Sequence, residues 1–207
     1  KEIDKKELKR RRDFRKETTI TIDPINAKDF DDALSLKIIN EDLFEIGIHI
    51  ADVSHYLKEN SLMEKEAYER GTSVYLVDRV VPMLPEKISN ELCSLIEKEE
   101  KYTFSAVFQM NNKSEVLNEW YGKTVIKSDK RFSYEEVNHI LQKQTKIIEK
   151  EVSLKKENYM VSEDLYEAII ILNNLAKMLR KERIKEGAIS FERKEVNFNL
   201  NNKNEPV

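Results

Sequence analysis

Apolar and polar positions alternate through Thr19, Ile20, Thr21 and Ile22, pause across residues 23–32, and alternate again from Ala33 to Leu36. A period of two marks half-buried strands, and Pro24 opens a tight connection between them. Leu34 to Ile39 reads as one strand and Asn40-Glu41-Asp42 as a turn. A second strand follows, with Phe44, Ile46, Ile48 and Ile50 alternating with Glu45, Gly47 and His49. Residues 19–51 therefore predict a small antiparallel sheet with the interrupted stretch at one corner.

Further along, Ser61 can cap a helix to about Arg70, with Glu64 completing a capping-box pattern and Gly71 ending it. Thr72 to Val77 favours strand, Pro82 and Pro85 fix an extended loop, and Ile88 to Ile96 suggests a short helical piece. Tyr102 to Met110 and Glu115 to Ile126 form a hairpin pattern around Asn111-Asn-Lys-Ser114, with Trp120 assigned to core. Ser133, with Glu136 three residues on, caps a helix from Tyr134 to about Leu141. Residues 143–158 have few apolar anchors and read as an exposed connection. Ser162 opens the longest helix, to about Lys185, with Leu165, Ile169, Leu172, Ala176 and Leu179 as its apolar stripe. Gly187 stops it, and Ile189, Phe191, Val196, Phe198 and Leu200 suggest further strands.

Composition narrows the class. The 207 residues suffice for one good-sized domain, and 36% charged against 40% hydrophobic residues suits a soluble globular chain. No apolar run approaches the roughly 18 residues needed to cross a bilayer. The start at Lys1 lacks the apolar core of a secretory signal and an initiator Met, so a piece of a longer, cytoplasmic protein is expected. Cys93 is alone, which excludes an internal disulfide. The net charge of −3 conceals a basic segment over residues 1–16 that reads as a helix, and its phosphate-contact reading stands beside a solvated helix or linker. His49, His55 and His139 lack zinc-site spacing and read as structural.

The interrupted stretch carries the chemistry. Asp23, Asp29, Asp31 and Asp32 crowd one short connection, and like charges there resist joint ionisation unless a cation relieves them. Hard ions such as Mg²⁺ take oxygen ligands and keep positions open for phosphate and water. A calcium loop needs a following Gly and a distal Glu, and this stretch has neither arrangement. A solvated acidic turn and a catalytic cation site both remain open on these residues alone.

Several stretches then recur in a known order: Thr21-Ile-Asp with Asp29-Phe-Asp-Asp32, His49-Ile-Ala-Asp-Val-Ser-His-Tyr56 and Gly71-Thr-Ser-Val-Tyr75. They continue with Val81-Pro-Met-Leu-Pro-Glu86, Leu92-Cys-Ser-Leu95, Phe104-Ser-Ala-Val-Phe108, Arg131-Phe-Ser-Tyr134 and Gly187-Ala-Ile-Ser-Phe-Glu192. In these the chain resembles the N-terminal portion of the catalytic domain of the ribonuclease II family, within it the ribonuclease R group. One departure is visible. After Leu95 the family commonly has Arg-Pro, whereas Ile96-Glu97 stands here, a surface-like change expected to have little effect.

The resemblance implies an α+β fold with a mixed central β-sheet and packed helices, residues 1–17 forming a lead-in or linker and 18–207 the domain portion. It implies a processive, Mg²⁺-dependent 3′-to-5′ exoribonuclease releasing nucleoside 5′-monophosphates from single-stranded RNA, with Mn²⁺ as a substitute ion. By motif position Asp23 and Asp32 are metal ligands, Asp29 supports the same site, and Asp31 is tied most closely to catalysis. Tyr75 and Phe191 match an aromatic pair that clamps the terminal base, and Tyr134 one that stacks farther up the channel. Each of these aromatics, taken alone, would read as core. Flanking cold-shock-type and S1-type RNA-binding domains, no membrane, and weak or absent activity of this piece alone are also implied. A non-catalytic RNA-binding module with a vestigial metal site is the alternative.

Overall fold

The computed structural model describes residues 3–77, 79–189 and 201. In chain order a short helix α1 (Lys5–Leu8) precedes β1 (Arg12–Asp13), β2 (Thr18–Asp23), β3 (Asp32–Asn40) and β4 (Leu43–Ala51). Helices α2 (Val53–Tyr56) and α3 (Leu62–Arg70) lead to a small ribbon of β5 (Val74–Tyr75) and β6 (Val80–Val81). After a π-helical turn (Lys87–Leu92) come β7 (Glu100–Asn111), β8 (Val116–Lys127), β9 (Lys130–Ser133) and α4 (Tyr134–Lys143). A second ribbon, β10 (Ile147–Ile148) with β11 (Tyr159–Met160), precedes α5 (Glu163–Lys185).

Seven strands form one sheet in the order β1-β8-β7-β4-β3-β2-β9. Its inner pairs are antiparallel, as the alternation predicts, while β1 joins β8 and β9 joins β2 in parallel. The fold is therefore α+β with a mixed sheet. Capping follows the local chemistry. Ser61 accepts from the Glu64 N–H, Gly71 closes α3 at a φ of 68°, and Ser133 and Glu136 form a reciprocal capping box on α4.

One face of the sheet is covered by α4, α5 and the β10–β11 ribbon, around Ile20, Phe132, Ile140, Ile148, Val161 and Ile169. Helix α5 extends this cover across Leu36, Ile46 and Met110 with Ala168 and Leu175. Its stripe thus runs through 165, 168, 169, 172 and 175. Ala176 and Leu179, expected in that stripe, are exposed, and the buried contact of the helix with Leu36, Ile46 and Met110 stops at Leu175. On the opposite face Phe14, Phe30, Ala33, Ala51, Val107 and Ile126 pack against Ala67, Leu84, Ile88 and Leu95.

Three further expectations are corrected. Residues 143–158 are not a free connection: Ile148 and Ser153 are buried, and the buried Glu136 carboxylate accepts from the Leu154 N–H and the Tyr159 hydroxyl. A buried carboxylate needs donors, and this segment brings them. The basic segment is helical only over 5–8, and Arg12–Asp13 joins the sheet. Finally, Ile48 and Ile50 are exposed while Glu45, Gly47 and His49, which alternate with them, are buried.

That buried row is polar and bonded throughout. Ser35 and Ser105 hold the two nitrogens of His49 at 2.8 and 2.6 Å, Ser105 meets Thr124, and Thr124 meets Thr103. Arg11 closes the row by donating to the carbonyls of Thr103 and Thr124. Gly47 is required here, since a Cβ would overlap His49 and the Ser35 hydroxyl. Gly47→Ala is therefore expected to cost about 1–3 kcal/mol of folding stability, read by urea unfolding. An unchanged midpoint would show that the row can shift.

Candidate active site

The aspartate turn lies where β2 ends and β3 begins. Asp23 is the last residue of β2, paired with Ser133 of β9, and Asp32 is the first of β3, paired with Ile50. Strand alternation puts Asp23 in the row of Thr19 and Thr21, and Asp32 in the row of Leu34 and Leu36. The carboxylates thus approach the sheet end from different faces. Among the described residues, no three His, Cys, Asp or Glu side chains are gathered tightly enough to hold an ion as they stand.

They are nonetheless coupled. Asp23 is only 7% exposed, and its Oδ2 has no hydrogen-bond partner, as Arg131 Nε has none. Burial pushes the Asp23 carboxyl up to about 6. The Thr21 hydroxyl and Arg131 oppose that rise, while the charges of Asp32 and Asp31 add to it. Loss of solvent also raises the Asp31 carboxyl, with Asp29 and Asp32 contributing. An all-oxygen donor set with an orphaned buried carboxylate oxygen suits a hard divalent cation.

The turn between these aspartates is anchored along its length. The Ala27 N–H returns to the Pro24 carbonyl at 3.0 Å. From β9, the Arg131 guanidinium donates to the carbonyls of Pro24 (3.1 Å), Ile25 (3.0 Å) and Ala27 (3.5 Å), and lies 4.7 Å from the centre of the Phe30 ring. The Ser94 hydroxyl accepts from the Phe30 N–H and donates to the Lys28 carbonyl. The Leu95 N–H reaches the Phe30 carbonyl, and the Ala51 N–H reaches that of Asp31, each at 2.9 Å. Arg131 and Ser94 were not singled out as individual residues from the sequence, although both fall inside the quoted motifs.

Tyr134 directly follows the Ser133 that pairs with Asp23, so it starts α4 at the aspartate end of the sheet, and it is 51% exposed. Tyr75 lies on the β5–β6 ribbon, 71% exposed. Neither is a core residue. Phe191 lies outside the described residues. Beside Asp32, Ile50 and its β7 partner Phe104 present half-exposed apolar surface, which alternation alone does not reveal.

Asp23 and His49 pull stability in opposite directions with pH. Burial pushes His49 down to about 4, with Arg12 contributing. A carboxyl that keeps its proton up to about 6, against an ordinary value of 3.8, loses stability as pH rises through that window. An imidazole that refuses its proton down to about 4, against 6.5, gains stability as pH rises through its own window. The two slopes offset. Asp23→Asn removes the first, so without divalent metal its melting temperature should climb more steeply with pH than the wild type's, and exceed it at pH 7. Parallel melting curves in chelator would contradict the raised Asp23 value.

A family model described as the RNB domain matches residues 11–207. Ribonuclease R 1 of Lactococcus lactis is 41% identical over 206 residues, covering all of this chain and 24% of that protein, so the chain spans about a quarter of its relative's length. Mycoplasma genitalium RNase R in complex with ribose-methylated single-stranded RNA superposes with a TM-score of 0.86 at 28% identity, over the whole of this chain and 31% of that one. Yeast Ssd1, a pseudonuclease, shares the fold at a TM-score of 0.71 and 21% identity, over 89% of this chain and 21% of its own. Among the described residues no helix is long and apolar enough to cross a membrane.

Proposed function

The chain belongs to the RNB-domain family, and from that premise we propose that the protein carrying it is a processive 3′-to-5′ exoribonuclease that hydrolyses single-stranded RNA to nucleoside 5′-monophosphates. The observation that carries this reading is the aspartate turn: four carboxylates on an anchored connection, one with a buried and unpartnered oxygen. Fold alone would not suffice, since a pseudonuclease shares it.

Asp23, Asp29, Asp31 and Asp32 would hold two Mg²⁺ ions, with Mn²⁺ as a substitute. When bound, the ions supply an activated water and charge neutralisation at the reacting phosphate. In this reading Asp23 brings a fixed oxygen from the rigid end of β2. Asp31 lies on the more open side of the turn and takes part in the catalytic step with Asp29 beside it. Tyr75, Tyr134 and Phe191 offer flat faces to bases, which holds RNA without reading its sequence, at about 1–3 kcal/mol per stacked base. Flanking cold-shock-type and S1-type domains would feed the strand to this site.

The test is the identity of the first product. Full-length protein given 3′-end-labelled single-stranded RNA and Mg²⁺ should release a labelled nucleoside 5′-monophosphate before any longer fragment. A ladder of internal fragments would contradict the direction and the exonucleolytic mode. The shared pseudonuclease fold also supports a second reading, an RNA-binding module without cleavage. Tight binding with no product at any Mg²⁺ concentration would select it.

A further inference from the structure

The polar contacts of the turn converge on one side chain. Arg131 stands on β9 opposite Thr21, so its guanidinium enters the same sheet row as Asp23. It spans the carbonyls of Pro24, Ile25 and Ala27 and stacks on Phe30, whose chain neighbours are Asp29 and Asp31. All three carbonyls meet one terminal nitrogen, Nη2, while the flat face of the guanidinium lies on Phe30, a stacking that an ammonium, as a point charge, cannot reproduce. Carbonyls in a turn have no ladder partner, and one rigid donor group fixes several at once.

The backbone that carries this side chain is itself held from the neighbouring segment. Glu97 accepts from the Arg131 backbone N–H at 3.0 Å and pairs with Lys130 at 3.4 Å. This is the glutamate that departs from the family's usual Arg-Pro after Leu95. Expected to be a surface change of little effect, it is a half-buried acceptor that ties the 94–97 segment to β9. That segment also holds the turn directly, through Ser94 and Leu95.

We infer that Arg131 is a positioning residue for the aspartate centre, setting the spacing of Asp23 from Asp29, Asp31 and Asp32 by clamping the turn between them, with Glu97 holding Arg131 in place. The inference rests on the cation-binding reading of those aspartates. Residues that orient ligands without being ligands affect metal affinity or activity by about 10–100-fold when replaced.

The experiment measures Mn²⁺ binding to the full-length protein by electron paramagnetic resonance, beside RNA binding and RNA turnover across Mg²⁺ concentrations. The variants are Arg131→Met, Arg131→Lys and Glu97→Gln, with melting temperatures recorded for each. Arg131→Met should weaken Mn²⁺ binding and raise the half-saturating Mg²⁺ by about 10–100-fold. Its affinity for RNA should stay within about twofold in chelator, because the residue does not hold RNA. Arg131→Lys, which keeps the charge but loses the flat face stacked on Phe30, should recover only a minor part, and Glu97→Gln should lie between wild type and Arg131→Met. Full recovery by Arg131→Lys would overturn the clamp in favour of simple charge. So would unchanged Mn²⁺ binding in folded Arg131→Met, or a wild-type protein that binds no Mn²⁺. If the wild type binds Mn²⁺ with this dependence on Arg131 but cuts no RNA, the positioning role stands and the nuclease reading fails. If Arg131→Met does not fold, Arg131→Lys and Glu97→Gln decide by the same binding measurement.

Discussion

Asp31→Asn in the full-length protein is expected to lower the single-turnover rate of RNA cleavage by roughly 10²–10³-fold or more, the scale for removing one preorganised electrostatic group from a reaction centre. RNA affinity should survive, because the proposed function places the bases on aromatic faces and not on this carboxylate. The expectation follows from placement. Asp31 is anchored by its own backbone, through the Ala51 N–H, while its side chain stays free to act. Loss of solvent, with crowding by Asp29 and Asp32, already makes its charged form costly, a cost that a cation relieves and an amide does not share. Rapid-quench measurements with filter binding separate the two effects. A variant that cuts at the wild-type rate would remove Asp31 from the chemistry.

The second large effect is structural. Arg11→Met should destabilise the fold by about 3–5 kcal/mol, the usual cost of stranding one partner of a buried ion pair. The Arg11 side chain is fully buried, bonding Asp52 at 2.7 Å and Glu7 at 2.9 Å, and lying 4.3 Å from the centre of the Tyr102 ring. Without it, Asp52 keeps the Ser54 hydroxyl and a distant Lys123. Burial draws the Asp52 carboxyl up, but Ser54, Arg11 and Lys123 outweigh that and leave it below its ordinary value. A lowered carboxyl contributes stability above its unfolded value of 3.8, which is lost as pH falls through the lower folded one. Arg11→Met should therefore lose that acid dependence as well. Adding Asp52→Asn should recover part of the stability by removing the stranded charge. Urea unfolding that shifts by less than about 1 kcal/mol would show the pair to be replaceable.

How much of this was legible depends on the distance over which each feature is encoded. The strands from Thr18 to Ala51, the β7–β8 hairpin and the Ser61 and Ser133 caps are written in neighbouring residues, and periodicity finds them. The two parallel pairings are not, because Arg12 meets Thr124 and Thr21 meets Arg131 across long stretches of chain. His49 reads as structural and is so, but its partners Ser35, Ser105 and Thr124 read as a solvent face in sequence, since polar residues bury only when each meets a partner from another strand. Arg11 looked like one member of a basic segment for the same reason.

The candidate site was legible as chemistry and not as geometry. Crowded aspartates leave a solvated acidic turn and a cation site both open, and the order of motifs names the family. That Asp23 and Asp32 enter from different rows, that Arg131 clamps the turn, and that Glu97 braces Arg131 all depend on which strands lie side by side. Tyr75 and Tyr134, which would read as core if isolated, stand exposed.

The most direct measurement follows 5′-labelled single-stranded RNA with the full-length protein in Mg²⁺, then in excess chelator, then with Mg²⁺ restored. The aspartate-centred account predicts shortening from the 3′ end that stops on chelation and resumes on restoration. RNA that is bound but stays intact in Mg²⁺ would contradict it, and would leave the chain a binding module on a nuclease fold.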